Sequence, residues 1–302
     1  MLTCLLLAPP SMAADKGPCE EGLKNGKKKT VMEGITFYRQ ECETPLYKAH
    51  ILEVDLTSQE YEFFVTPYKQ RLLVPSKFAD RFNAVAAVNG GFWCEKGGFT
   101  VSDGAAWPKF ADTGESTVVG FGKWKEKTGR IKIDIRPTEE KLTAPPSWMK
   151  HALTGVPVIL DKGKPLESDD EIFKSRHPRT GIGYTKDESK VFIVVVDGRQ
   201  KGWSQGMKTV QLGELFLSLG AYRALNLDGG ASSTMVVPSM GGVVNRTCHK
   251  KGPERNVSNH LGIVRTGNKG GSKGKAKSPL EKVLAFLFPV DLLRKSAGLQ
   301  PR

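Results

Sequence analysis

Stretches long enough to cross a bilayer are missing from this sequence. A membrane helix needs roughly 20 consecutive apolar residues, and no run approaches that length. Cysteine is scarce: there are five, and no Cys-x-x-Cys spacing among them supports a zinc site. Self-similarity at solenoid periods is absent too, which excludes a repeat array. Acidic residues are in the minority, 32 against 45 Lys and Arg, for a net charge of +13. That surplus invites a nucleic-acid reading, but no aromatic-interleaved nucleic-acid motif accompanies it. Much of it lies at the ends. Residues 265–302 hold nine Lys or Arg against two acids, and Lys24, Lys27, Lys28 and Lys29 cluster near the start. Basic ends of this kind are solvated, or adhere to anionic polymer or lipid. No nucleic-acid partner is expected. The tail is left open to dock on an anionic polymer or a membrane surface, on the domain itself, or on nothing.

What is present fits a loop-rich, strand-containing globular protein better than a helical bundle: 39% hydrophobic residues, 33 Gly and 18 Pro in 302 residues. Residues 1–14 pair an apolar Leu5-Leu6-Leu7-Ala8 with a small-x-small Ser11-Met12-Ala13, as a signal peptide does, though without a basic n-region. Export to the periplasm or the exterior is expected. Cys4 would leave with that segment. Cys19, Cys42, Cys94 and Cys248 remain, an even number that suits an oxidising compartment and allows three connectivities. Cys19 with Cys42 is preferred because they bracket the N-terminal extension, and Cys94 with Cys248 follows. Residues 15–44 read as a basic extension, 45–266 as one catalytic domain, and 267–302 as a basic flexible tail. The tail contains a linker over 270–278 and an amphipathic helix over 280–293, interrupted by Pro289.

Within the domain, 50–56 and 61–65 read as strands joined by a turn, 75–82 as a short helix, and 118–121 with 130–135 as a hairpin. Three apolar strands share one ending. Residues 84–88 run into Asn89-Gly90-Gly91, 191–196 into Asp197-Gly198-Arg199, and 224–227 into Asp228-Gly229-Gly230, with Ser232, Ser233 and Thr234 beyond. The unbroken apolar run 191–196 is the mark of a strand covered on both faces. Between the last two strands, Leu212, Leu215, Phe216 and Leu219 fall on one helical face, with Gly220 as the C′ residue. Strand, helix and strand make a crossover that leaves both strands parallel, their carboxyl ends on one edge. The expected fold is therefore mixed α/β, a central sheet with crossover helices plus additional strands and hairpins. Ligands of such sheets settle beyond the carboxyl ends of the strands, so Asp197 and Asp228 are expected to face one cleft.

Ahead of the 191 strand stands His177-Pro178-Arg179-Thr180-Gly181-Ile182-Gly183, where Arg179 offers a fixed fork of donors suited to phosphate or carboxylate. Taken in order, Asn89-Gly90-Gly91-Phe92, the His177–Gly183 segment, Val196-Asp197-Gly198-Arg199, Gly206-Met207 and the 224–233 stretch resemble the phosphodiester glycosidase family. The likeness runs from about residue 47 to 264 and closes with Asn245 and Asn259-His260-Leu261-Gly262. The resemblance implies hydrolysis of a sugar 1-phosphodiester at its glycosidic bond, in exopolysaccharide or cell-envelope glycan metabolism. On that reading Arg179 and a Gly229-Gly230 nest hold the phosphate. Asp228 and Asp197 act at the anomeric carbon, one as nucleophile or electrostatic stabiliser, the other as acid/base or sugar-hydroxyl ligand. Asn89, Ser232 and Ser233 orient the sugar, and Gly90, His177, Thr180 and Arg199 complete the substrate-binding set.

Two other classes stay open at this point. One is a non-catalytic binder of anionic polysaccharide, helped by the basic tail. The other is a metal-dependent phosphodiesterase, since Asp197, Asp228 and Asn89 are hard oxygen ligands. No cofactor is expected, and a divalent metal is left open.

Overall fold

A computed structural model describes residues 17–92, 98–108, 117–124, 130–136, 141–250 and 252–266. The expected signal peptide, Cys94 and the basic tail lie outside the described residues. The chain is mostly β, which corrects the mixed α/β expectation. Among the described residues there are three sheets, of nine, five and five strands, with every neighbouring pair antiparallel. Among the described residues there are three α-helices, Pro75–Phe82, Glu171–Lys174 and Thr209–Ser218.

The largest sheet explains the discrepancy. Its central strands are Ile35–Cys42, Tyr47–Asp55, Lys190–Val196, Arg179–Tyr184, Arg223–Asn226 and Val158–Asp161, in that spatial order. Lys190–Val196 and Arg223–Asn226 do run the same way, since both are antiparallel to Arg179–Tyr184. They are not neighbours, because Arg179–Tyr184 lies between them. That strand hides in the sequence behind its two glycines. Both are packing devices: a Cβ on Gly181 would come within 2.8 Å of the Phe216 ring, and one on Gly183 equally close to it. Bare backbone at these positions lets the Thr209–Ser218 helix lie close against the sheet. The apolar run 191–196 was read correctly as two-sided, but two-sided burial does not require a parallel partner. Val191, Ile193 and Val195 enter the core between the sheets, while Phe192, Val194 and Val196 pack with Leu212, Leu215 and Phe216 of the helix.

That helix ends as its sequence suggests. Gly220 takes φ +90°, its N–H donates to Leu217 O, and the Ala221 N–H donates to Phe216 O, the paired bonds of a Schellman motif. At its start the Thr209 hydroxyl donates to Phe173 O, across to the neighbouring short helix.

The residues taken as an N-terminal extension contribute to the same sheet. Ile35–Cys42 pairs with Tyr47–Asp55 over its whole length, so a boundary at 44/45 falls within a hairpin. A Cys19–Cys42 disulfide ties the first described residues to this hairpin. Among the described residues Cys248 has no disulfide partner, and the one expected for it, Cys94, lies outside them. The strands expected over 50–56 and 61–65 are observed as Tyr47–Asp55 and Tyr61–Val65, and they belong to different sheets, Tyr61–Val65 pairing with His260–Arg265. The 117–136 hairpin is observed as Thr117–Lys123 with Ile131–Arg136. Side chains of all three sheets meet in one core, among them Leu52, Val54, Ile193, Phe121, Ile133, Phe63, Val88 and Ile263.

Candidate functional site

The three Asn/Asp-Gly strand ends come together because antiparallel pairing fixes their registers. Arg179 lies opposite Val196, and Gly181 lies opposite Asn226, so Asp197 and Asp228 both emerge beside the start of the Arg179–Tyr184 strand. Leu227 N–H donates to Thr180 O and Gly230 N–H to Pro178 O, which carries the 228–230 turn along the same rim. The third end comes from another sheet. Asp228 N–H donates to Gly90 O, and Asn89 Nδ2 donates to Asp228 O at 2.6 Å.

Asn89 is fully buried and acts as a clip. Its Oδ1 accepts from the Thr180 hydroxyl at 2.8 Å and from the Thr234 N–H at 3.2 Å, while its amide holds the Asp228 carbonyl. Thr180 is likewise buried, and its hydroxyl is taken by this bond. Neither side chain presents a free polar atom to a sugar. Gly90 closes against Asn259, just before the His260–Arg265 strand: its N–H donates to Asn259 O, and the next N–H, of Gly91, to Asn259 Oδ1.

Asp197 is buried, and both carboxylate oxygens are filled. Oδ1 accepts from Asn245 Nδ2 at 3.2 Å and from the Arg246 N–H at 3.0 Å. Oδ2 accepts from Trp203 Nε1 at 2.8 Å and stands 3.2 Å from His50 Nε2. A carboxylate has about four lone-pair sites, and here each has a donor. Asn245 also donates to Ser233 O and accepts from the Met235 N–H, so Asp197 anchors the strand beyond the glycine turn. A metal bound through Asp197 and Asn89 would have to displace these donors, which is unlike an oxygen-rich cation site. Among the described residues no three His, Cys, Asp or Glu side chains gather as a metal site.

Arg179 is braced in the same way. Its Nε donates to Met207 O, and one terminal nitrogen donates to Ile172 O and Ser175 O, so it secures the Glu171–Lys174 helix. Burial, with the charge of Arg199 nearby, lowers its pKa to about 10. The glycine turn is also partly occupied. Gly230 takes φ +61°, and its N–H is used by Pro178 O. The Gly229 backbone favours ionisation of Asp228 itself.

Three groups keep chemistry in hand. Asp228 is half-buried, and burial raises its carboxyl pKa above the ordinary value against the pull of Ser232, Arg255 and the Gly229 backbone. The Ser232 hydroxyl is near enough to favour the ionised form, yet it makes no hydrogen bond of regular geometry. Among the described residues the Ser233 and Thr234 hydroxyls, both buried, have no hydrogen-bond partner. Arg199 is exposed, in a left-handed backbone conformation of φ +57°. Its guanidinium lies over Gly230, where an added Cβ would be 3.1 Å from a terminal nitrogen, and its Nε donates to His177 Nδ1 at 3.2 Å. His177 must therefore be neutral at Nδ1. Burial, then Arg199 and Arg179, hold its pKa below the usual histidine value.

The structure thus brings every predicted site residue to one rim but divides their work. Asn89, Thr180, Arg179 and Asp197 are bonded into its frame. The side chains of Asp228, Arg199, His177, Ser232 and Ser233 are not. Sequence reasoning did not single out Arg255, whose charge acts on Asp228, or His50 and Trp203, which hold Asp197. No motif surrounds these three; only the fold brings them in.

Comparison of the sequence with curated proteins gives no match. Among solved structures, the chain is similar to the zebrafish N-acetylglucosamine-1-phosphodiester alpha-N-acetylglucosaminidase catalytic domain auto-inhibited by its pro-peptide. The TM-score is 0.55 at 19% identity, covering 82% of this chain and 86% of that one. A hypothetical protein from Synechocystis gives 0.54 at 13% identity, covering 80% and 64%. A putative exported protein from Burkholderia pseudomallei gives 0.54 at 15% identity, covering 72% and 74%. At these identities the likenesses show a shared fold. The sequence profile of phosphodiester glycosidases matches residues 82–264, a span that holds all three strand ends and both aspartates, and the chain belongs to that family.

Proposed function

We propose that the chain hydrolyses the glycosidic bond of a sugar 1-phosphodiester, with Asp228 as the reacting carboxyl. The observation that carries this reading is the contrast between the two aspartates. Asp197 has a donor on every lone pair, whereas Asp228 is half-buried, raised in pKa, and set beside the charge of Arg255 and the Ser232 hydroxyl. A phosphodiester leaves as an anion and needs little protonation, so a single carboxyl can serve as the base that activates water at the anomeric carbon. A raised pKa brings that base nearer to working pH, where general-base catalysis is most effective. Arg199, rather than Arg179, holds the departing phosphate, and neutral His177 orients Arg199 through its Nδ1. Ser232 and Ser233 take sugar hydroxyls. Asp197 is a positioning residue for the turn that carries Asp228. The Cys19–Cys42 bridge supports work in an oxidising compartment outside the cytoplasm, and cell-envelope or exopolysaccharide glycans are substrates found there.

The test is Asp228→Asn assayed on an aryl sugar phosphodiester. Turnover should fall by about 10²–10⁴, the usual contribution of a general base, with the folded state intact. In oxygen-18 water the label should enter the sugar hydroxyl at C1 and not the phosphate. Undiminished turnover in the variant removes Asp228 from the mechanism; label in phosphate replaces glycosidic cleavage with P–O cleavage.

A further inference from the structure

A concavity of about 280 Å³ lies beside the rim, lined by Lys27, Lys29, Phe37, Arg39, Met240 and Val244 among others. Its charge is of one sign. Lys27, Lys29 and Arg39 are exposed, no acidic residue lines it, and none of the three is in an ion pair among the described residues. The neighbouring lysines differ in this respect. Lys24 pairs with Glu43 and Lys28 with Glu53, so the sequence neutralises one set and leaves the other set unbalanced around the groove. Three cations crowded without counter-charge repel one another and are stabilised by an anion placed between them.

The groove lies close to the candidate site. Arg39 donates to Val244 O at 3.0 Å, and two residues further along, the Arg246 N–H donates to Asp197 Oδ1. Two residues span at most about 7 Å. Between groove and rim, the exposed Arg246 guanidinium and the Lys48 ammonium both lie over the half-buried Trp203 ring, at 5.2 and 4.5 Å from its centroid. Arg199 follows on the far side of Asp197 in the chain. Cations therefore run from Lys27 and Lys29 through Arg39 and Arg246 to Arg199, with aromatic and aliphatic surface between them. The chain's own tail is no candidate for the groove, because it carries the same sign of charge.

The geometry assigns this groove to a second anionic unit of the substrate: the enzyme takes a glycan chain with recurring negative charge, such as a polymer of glycosyl phosphates, in preference to a single sugar phosphodiester. As a subsite of the enzyme it rests on the hydrolysis proposed above; as a polyanion site it is read by binding alone. The experiment uses fluorescent oligomers containing one, two and four glycosyl phosphates, with affinity measured by anisotropy on the full chain and on Lys27→Gln/Lys29→Gln. Affinity should rise with length in the parent. The double variant should bind the tetramer roughly tenfold more weakly, the product of two exposed charge contacts, and bind the monomer unchanged, with turnover of the aryl substrate unaltered. Equal affinity for the tetramer in parent and variant overturns the assignment, as does an equal loss for the monomer. Loss of binding to phosphatidylglycerol vesicles with oligomer binding intact also overturns it, in favour of a lipid surface. If the parent hydrolyses no sugar phosphodiester yet shows the Lys-dependent length effect, the groove stands and the proposed activity falls.

Discussion

Replacing Asn89 by alanine tests the frame on which the candidate site is built. The side chain is buried and satisfies three groups: the Thr180 hydroxyl, the Thr234 N–H and the Asp228 carbonyl. Alanine leaves all three without that partner. An orphaned buried polar group costs about 1–3 kcal/mol, and partial relaxation or entry of water brings the expected total to about 3–5 kcal/mol. For a domain of this size each kcal/mol moves Tm by about 2–4 °C, so a fall of about 10 °C is expected by calorimetry. Asn89→Asp separates the contributions. It keeps the acceptor for Thr180 and Thr234 but sets a carboxylate against the Asp228 carbonyl, so it should be no more stable than alanine. Because Asn89 acts through the Asp228 main chain, the surviving folded enzyme should lose kcat more than it gains in KM. A Tm within 2 °C of the parent, or a KM effect alone, would refute the claim that this residue positions the turn rather than binding the sugar.

Two further outcomes follow from the same geometry. Arg199→Ala should raise KM for a phosphodiester about tenfold or more while leaving Tm unchanged, since the residue is exposed and its Nε bond to His177 is at the surface; steady-state kinetics and a thermal scan decide it, and an unchanged KM would remove Arg199 from phosphate binding. Acid should destabilise the fold between about pH 6.5 and pH 3. Burial lowers both His151 and His260 to about 3, so in that window the unfolded chain binds protons the folded chain refuses, and stability falls as pH falls. Asp228 works in the opposite sense, its raised pKa letting the folded state take up a proton above the ordinary carboxylate range. The fall should therefore be steeper in Asp228→Asn, and urea midpoints that are equal at pH 7 and pH 4 would contradict the assignment.

The strand ends were legible in the chain itself. Asn89-Gly90, Asp197-Gly198 and Asp228-Gly229 stand out because an apolar run that stops at a small amide or carboxylate and a glycine is a local pattern, and local patterns survive without tertiary context. The Thr209–Ser218 helix and its Gly220 terminus were visible for the same reason. Less was visible of pairing. Ile35–Cys42 was masked by the lysines before it, and Arg179–Tyr184 by glycines that mark close packing against Phe216 rather than a turn. A two-sided apolar strand does not say whether its neighbours run with it or against it, and the sheets proved antiparallel throughout.

The sequence by itself determined which polar residues stand at the three strand ends, since residue type and strand-end position are properties of the chain. Only the tertiary structure decided which of them keep a polar atom free of other bonds. Hydrogen-bond capacity is finite, and partners brought in from distant segments fill it: His50, Trp203, Asn245 and Arg246 occupy Asp197, and three main-chain carbonyls occupy Arg179. Asp228 and Arg199 keep their capacity because the same fold leaves them at the rim.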